Sequence, residues 1–480
     1  MLKHRYPFSE LAMQRGQKTL LMSVFDGNMV RNILRTDVLT LLVESPELNK
    51  IVVLCHPSKV NLYREEFKNE KLVFEAYPST IPKFSDIIAG FIIRHIIHTN
   101  NVRAKIDELR DRAAGSYLAR LCKYFIALII FYTSQVSLID RLYRACAIWL
   151  YDDRPFESVL RRHTPDLVFL PTIFGNNDIR LLKRCTRLGV KNVGMIKSWD
   201  NLLGKDALLI WPDRLIVHNE IVKGYATSMY GFPTSRIFIS GIPQFDIYAH
   251  LDKLPSKEAF LESMQLDPAK KLLVYSCMGR WISLHELEIV RLLAEIVQTP
   301  GKLSVPSQLL VRLHPAYPSE DVLMGTIPGI RVVRPGMVDK DRNPERFDFE
   351  FHQKDTIELM ATLKYADVLM NSGSTMTIDA ACFDTPIINI AFDGKMGKDV
   401  FVRSAERLLK KDHYLPILAT GGVSVAHTEE ELIAQIDEYV CNRQKNHGGR
   451  QRIVDEQCFR MDGQSGSRIA HFILDVIKSH

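Results

Sequence analysis

"MNSGSTMTIDAACFDTPIINIAF", residues 370–392, decides the fold. It starts as an apolar strand, breaks at a small polar knot, continues as a helix and closes on a second apolar strand. Strand, helix and strand in so short a span make a βαβ unit, and such units build parallel sheets with helices on both faces. Ser372, Gly373, Ser374 and Thr375 form the knot at the carboxyl end of the first strand, where open parallel sheets bind their ligands.

The same alternation recurs on both sides of this stretch. KLLVYSC (271–277), SQLLVRLHP (307–315) and IRVVRPG (330–336) read as strands, with helices over 284–297 and 355–365. Upstream, TLLMSVF (19–25), IVVLC (51–55), LVFEAY (72–77), DLVFL (166–170), NVGMI (192–196) and RLIVHN (214–219) form a second series, and ISGIPQFD (239–246) marks the break between the two. The expected fold is α/β, with two facing Rossmann-like domains built on parallel sheets. Residues 1–238 make the first domain, 239–454 the second, and a helix within 455–480 packs back on the domains. Within the first, residues 86–163 have helical apolar spacing, little Gly or Pro and many arginines, which predicts an insertion of two or three helices.

A chain of 480 residues, 46% hydrophobic and 25% charged, agrees with a folded protein of more than one domain. The polar N-terminus lacks the apolar core of a signal peptide. The most apolar run, 125–139, is interrupted at Thr133, Ser134 and Gln135, and falls short of the roughly 20 residues a spanning helix needs. Arg94, Arg103, Arg110, Arg120, Lys123, Arg141 and Arg144 accompany it, a combination suited to peripheral contact with an anionic membrane surface. A helical layer buried in the first domain is the alternative. The net charge of +6 favours anionic partners. The eight cysteines are scattered without Cys-x-x-Cys spacing, which points to reduced thiols in the cytoplasm and away from structural zinc.

Site residues are sought just beyond the strands. In the second domain they are Gly279 and Arg280, Arg312 and His314, and Asn371 with Ser372, Gly373, Ser374 and Thr375. Gly373 permits close approach of a ligand, the hydroxyls donate hydrogen bonds, and a helix beginning near Thr375 presents free N–H groups to an anion. The competing role for Ser374 or Thr375 is a helix cap. Asp379, one turn on, contacts a ligand hydroxyl or orients Thr375. In the first domain Asp26 and Asn28 follow one strand, and Lys197, Ser198, Trp199, Asp200 and Asn201 follow another. Carboxylates and amides there suit a polyhydroxylated ligand, and they also suit turns. No Gly-x-Gly-x-x-Gly follows the first strand and no P-loop occurs, so dinucleotide and ATPase readings lose their support; His285-Glu286 lacks the second histidine of a zincin.

Several phrases in order, KSWDNLLGKD, RLIVHNE, ISGIPQFD, LVRLHP and YADVLMNSGSTMTIDAACFDTPIINIAFD, resemble GT-B glycosyltransferases. The branch they resemble lies near the CDP-glycerol glycerophosphotransferases and other bacterial surface-polysaccharide transferases. HYLPILATGGVSVAHTEEELI and MDGQSGSRIAHFI extend the resemblance toward the C-terminus. It implies transfer from a nucleotide sugar or CDP-alditol to a glycan or lipid-linked acceptor in the cleft between domains, with no cofactor and no nucleic-acid partner. His314 and the knot would hold donor phosphate, while Asp200 or Asp26 is the expected general base by its position at a strand end. The strand-end loops contain no Asp-x-Asp, so a metal-independent reaction is expected, helix dipole, Arg312 and His314 replacing the cation. A non-hydrolysing nucleotide-sugar 2-epimerase and a non-catalytic nucleotide-binding protein are the alternatives.

Overall fold

The computed structural model describes residues 18–25, 27–78, 83–111, 116–279, 282–317, 321–339, 348–350, 352–396 and 403–479. The chain divides into one unit of Met1–Ile247 with Asp462–His480, and another of Tyr248–Met461.

The first unit is built on β1 (Lys18–Val24), β2 (Leu48–Cys55), β3 (Leu72–Ala76), β4 (Leu167–Leu170), β5 (Asn192–Met195), β6 (Arg214–Val217) and β7 (Ile237–Ile239). Their order is β3-β2-β1-β4-β5-β6-β7, and every pairing is parallel. The direction of winding therefore reverses between β1 and β4. Alternating side chains send Leu20, Met22 and Val24 into one core and Leu21 into the other, so β1 reads as one apolar run.

The final helix, Ser465–Lys478, places Ile469, Ile473 and Ile477 in the core beneath β1. Asp246 holds its start, accepting hydrogen bonds from the amides of Ser465 at 3.0 Å and Gly466 at 2.6 Å. Helix His447–Cys458 instead belongs to the second unit, so the expected closing segment 455–480 is shared between the two. Likewise, the chain passes to the second unit after Ile247 and not after residue 238, because β7 completes the first sheet.

Between β3 and β4 lie helices Phe84–His95, Asn100–Asp111, Tyr117–Thr133 and Ser137–Leu150, followed by the short Glu157–His163. The insertion thus holds more helices than the expected two or three, since its breaks carry few of the Gly and Pro residues that usually mark them. Ala89, Ile93, Val102, Ile106, Ala127 and Ile130 give it a core of its own. A buried ion pair, Arg180 Nη2 to Asp86 Oδ2 at 2.6 Å, ties it to helix Asn176–Leu188. Its outer side leaves Leu118 72%, Leu138 65% and Trp149 78% exposed, so the insertion is a core layer on one side and a bare apolar surface on the other. Among the described residues no helix is long and apolar enough to cross a membrane.

The second unit contains β8 (Lys271–Ser276), β9 (Ser307–Arg312), β10 (Ile330–Val333), β11 (Met337–Asp339), β12 (Asp348–Glu350), β13 (Val368–Asn371), β14 (Ile387–Ile390) and β15 (Ser424–Ala426). The main sheet runs β10-β9-β8-β13-β14-β15, all parallel, while β11 and β12 form an antiparallel pair. Its winding reverses between β8 and β13, which makes the ends of those strands the switch point. Both units are therefore Rossmann-like α/β layers, as the alternation of strands and helices predicts.

Candidate functional site

The knot after β13 lies at this switch point. Asn371, fully buried, accepts hydrogen bonds at Oδ1 from the amides of Gly373 (2.8 Å) and Ser374 (3.0 Å) and from Asn389 Nδ2 (3.0 Å). Its Nδ2 donates to Thr377 Oγ1 (3.1 Å), which lies 2.8 Å from the Tyr414 hydroxyl, and Tyr414 donates to Asn389 Oδ1 at 2.6 Å. Because the Tyr414 proton goes to Asn389, Thr377 donates to Tyr414, and the four side chains close a ring running in one direction. Such rings strengthen each bond and fix a single loop shape. Asn371, expected to touch a donor, shapes the loop from within. Gly373 is required at φ +88°, and a Cβ there would lie 2.9 Å from Leu409, so the close approach it permits is to the chain itself.

With two amides taken up by Asn371, the first helical bond runs from Thr377 N–H to Ser374 O at 3.1 Å. The amides of Thr375 and Met376 precede it and have no acceptor within the helix. Thr375 makes no side-chain cap bond, and Ser374 Oγ is enclosed without a hydrogen-bond partner. A cap would use one of these hydroxyls, and neither makes that bond. Ser372 Oγ is enclosed as well, near the Tyr275 phenol, whose ionisation burial pushes well up. Asp379 is buried and accepts from Tyr248 at 2.5 Å, a partner the sequence does not announce.

The neighbouring strands bring two more loops to this edge. His314, after β9, accepts at Nδ1 from the amides of Ala316 (3.0 Å) and Tyr317 (3.1 Å). A neutral ring so engaged carries its proton on Nε2, which makes that nitrogen a donor. Arg334 secures the loop by donating to the carbonyls of His314 and Tyr317. Arg312, the expected phosphate cation, is buried and pairs with Glu358 at 2.7 Å, so its charge is already partnered inside the unit. After β8, Gly279 adopts φ +88° and donates its amide to the buried Glu286 at 3.0 Å, as does Met278. Glu286 thus fills the amide nest of the loop after β8 with the chain's own carboxylate. Arg280 lies outside the described residues. Arg407, unforeseen in the sequence, donates to the carbonyls of Ile282 and Ser404. It links the segment after β8 to that after β14 across the end of β13.

In the first unit, Asp200 Oδ1 accepts from Ser198 Oγ at 2.6 Å and from Asn201 Nδ2 at 3.2 Å. Trp199 and Asn201 are buried, Lys197 is half-buried, and Asn201 Oδ1 is enclosed without a partner. Asn28 sits in the turn Gly27–Met29, which runs into a π-helical turn, Val30–Leu34, after β1. β4 lies between β1, which Asn28 follows, and β5, which the Asp200 loop follows, so those two strands are about 10 Å apart. Asp26 lies outside the described residues.

His218, after β6, is buried with Nε2 unpartnered, and burial lowers its pKa to about 4. Its folded pKa is below the unfolded value, so the stability linked to it is present above about pH 6.5 and is lost as pH falls toward 4. The loss amounts to roughly 3 kcal/mol. Denaturant titrations should show the advantage of wild type over His218→Asn shrinking by about that much between pH 7 and 4. A difference independent of pH would contradict the burial of a neutral imidazole.

No curated protein matches the chain in sequence. The family model described as CDP-Glycerol:Poly(glycerophosphate) glycerophosphotransferase matches residues 209–475, more than half of the chain. The chain belongs to this family. The glycerophosphotransferase match takes in β6 through the final helix, including all three loops at the second switch point, and begins just past Lys197–Asn201.

Among solved structures, the chain is similar to UDP-GlcNAc 2-epimerase from Neisseria meningitidis bound to UDP-GlcNAc, at 9% identity and a TM-score of 0.53 over 95% of this chain and 100% of that one. The enzyme of the same name from Methanocaldococcus jannaschii gives 12% and 0.52 over 95% and 99%. UDP-N-acetylglucosamine 2-epimerase from Rickettsia bellii gives 13% and 0.51 over 97% of each chain. At such identities the likeness is one of fold, and the fold is the two-domain GT-B type. This member of the glycerophosphotransferase family therefore places its expected donor loops on one sheet edge. Glu286, Glu358, Asn389, Tyr414 and Tyr248 are the partners that set them.

Proposed function

We propose that the protein transfers a group from a nucleotide-activated donor, CDP-glycerol or a nucleotide sugar, to a glycan or lipid-linked acceptor in surface-polysaccharide synthesis. The observation that carries this reading is the knot after β13, where neither the Ser374 nor the Thr375 hydroxyl caps the helix and the amides of Thr375 and Met376 precede its first hydrogen bond. Those donors, with His314 Nε2–H, bind donor phosphate and stabilise the charge that develops on the leaving group. With CDP-glycerol, an acceptor oxygen bonds to the glycerol-bearing phosphorus, the bond to the bridging oxygen breaks, and CMP departs. Asp200, its Oδ1 fixed by Ser198 and Asn201, takes the acceptor proton. We read the reaction as metal-independent, these neutral donors standing in for a cation.

The acceptor side also supports a place on the cytoplasmic face of a membrane. Leu118, Phe125, Ile129, Leu138, Leu142 and Trp149 are exposed on the insertion, with Lys123 and Arg141 exposed beside them. Apolar side chains flanked by cations suit the boundary of an anionic bilayer. In a flotation assay at low salt, the protein should rise with phosphatidylglycerol vesicles carrying a lipid-linked glycerophosphate acceptor, and should release CMP when CDP-glycerol is added. Conversion of UDP-N-acetylglucosamine alone, with no acceptor, would replace this reading by epimerisation.

A further inference from the structure

The loop that carries Asp200 is built by the insertion. Beyond the short turn Asn201–Gly204, the stretch from Ser198 to Leu208 has no regular structure to hold it. Thr99 Oγ1 donates to Leu203 O at 2.6 Å, Lys105 Nζ donates to Gly204 O, and Ala207 N–H donates to Ile93 O at 3.0 Å. Arg94 pairs with Asp206 at 3.3 Å, and Arg144 donates to Leu208 O at 3.1 Å. Gly204 leaves room for Asn101, since a Cβ there would lie 3.0 Å from that of Asn101. Every one of these partners comes from helices Phe84–His95, Asn100–Asp111 and Ser137–Leu150 or the turn between the first two.

Lys105 is the member of this set that acts on charge. Its ammonium end meets the last carbonyl of the Asn201–Gly204 turn. Desolvation lowers its pKa, with Arg94 adding to the effect, while Asp200 and Asp206 from the loop and Glu108 from its own helix favour the charged form. A cation at the end of that turn attracts the Asp200 carboxylate at its start.

We propose that Lys105 is a positioning residue for Asp200, delivered by the inserted helices to the acceptor-side loop. The inference rests on Asp200 being the general base, and the two are separable. Lysines labelled by reductive ¹³C-methylation should show the Lys105 signal, identified by its loss in Lys105→Arg, titrating below the surface lysines. The Asp200→Asn change should move it lower still, because an opposite charge has gone. With CDP-glycerol and poly(glycerophosphate) as substrates, Lys105→Met should lower kcat by about tenfold and shift the acid limb of its pH profile upward, and Lys105→Arg should restore most of both. An Asp200→Asn protein that remains active removes the base assignment while the methyl titration still reads the charge interaction between Lys105 and Asp200. A Lys105 signal indifferent to Asp200→Asn, or Lys105→Met with the wild-type rate and pH profile, overturns the inference.

Discussion

Asp200→Asn is expected to lower turnover by about 10²-fold or more while leaving donor affinity near that of wild type. Asparagine keeps the shape of the side chain and can still accept from Ser198, so the loop should hold its conformation. What it cannot do is take a proton from the acceptor hydroxyl. The loss should appear in kcat, because the interaction removed is made as the proton moves and not when the donor binds. Steady-state kinetics with CDP-glycerol, beside calorimetric titration of the donor onto both proteins, separates the two quantities. Unchanged turnover would return the role of base to Asp26, the other carboxylate at a strand end.

The parallel strands were legible because burial on both faces removes the polar alternation that blurs other strands. LLM in β1 and VLM in β13 are continuous apolar runs for that reason. The strands hidden from such reading, β7 and β15, are three residues long, too short for periodicity to register. The destination of the last helix was equally hidden. Its apolar stripe predicts burial, but the choice of unit depends on Asp246, more than two hundred positions away in sequence.

For the candidate site, the rule that ligands meet the carboxyl ends of strands points to the strand-end loops and leaves their internal partners unseen. Arg312 looked like a phosphate cation because Glu358, which neutralises it, lies on the helix preceding β13. Asn371 looked like a ligand contact because the ring through Thr377, Asn389 and Tyr414 closes only in three dimensions. Around Ser374 and Thr375 the reason is local: two amides of their loop are satisfied by a residue only two and three positions upstream. That frees the hydroxyls from turn-making.

The central claim is that this knot holds donor phosphate, and isothermal calorimetry on Ser374→Ala/Thr375→Ala tests it most directly. Hydrogen bonds to a charged group contribute roughly 1.5–3 kcal/mol each, whereas losing a helix cap costs about 1 kcal/mol of stability. The account predicts that the folded double variant binds CDP-glycerol at least about tenfold more weakly than wild type, with cytidine binding little changed and only a modest fall in Tm. Wild-type affinity for CDP-glycerol in the folded double variant would contradict it.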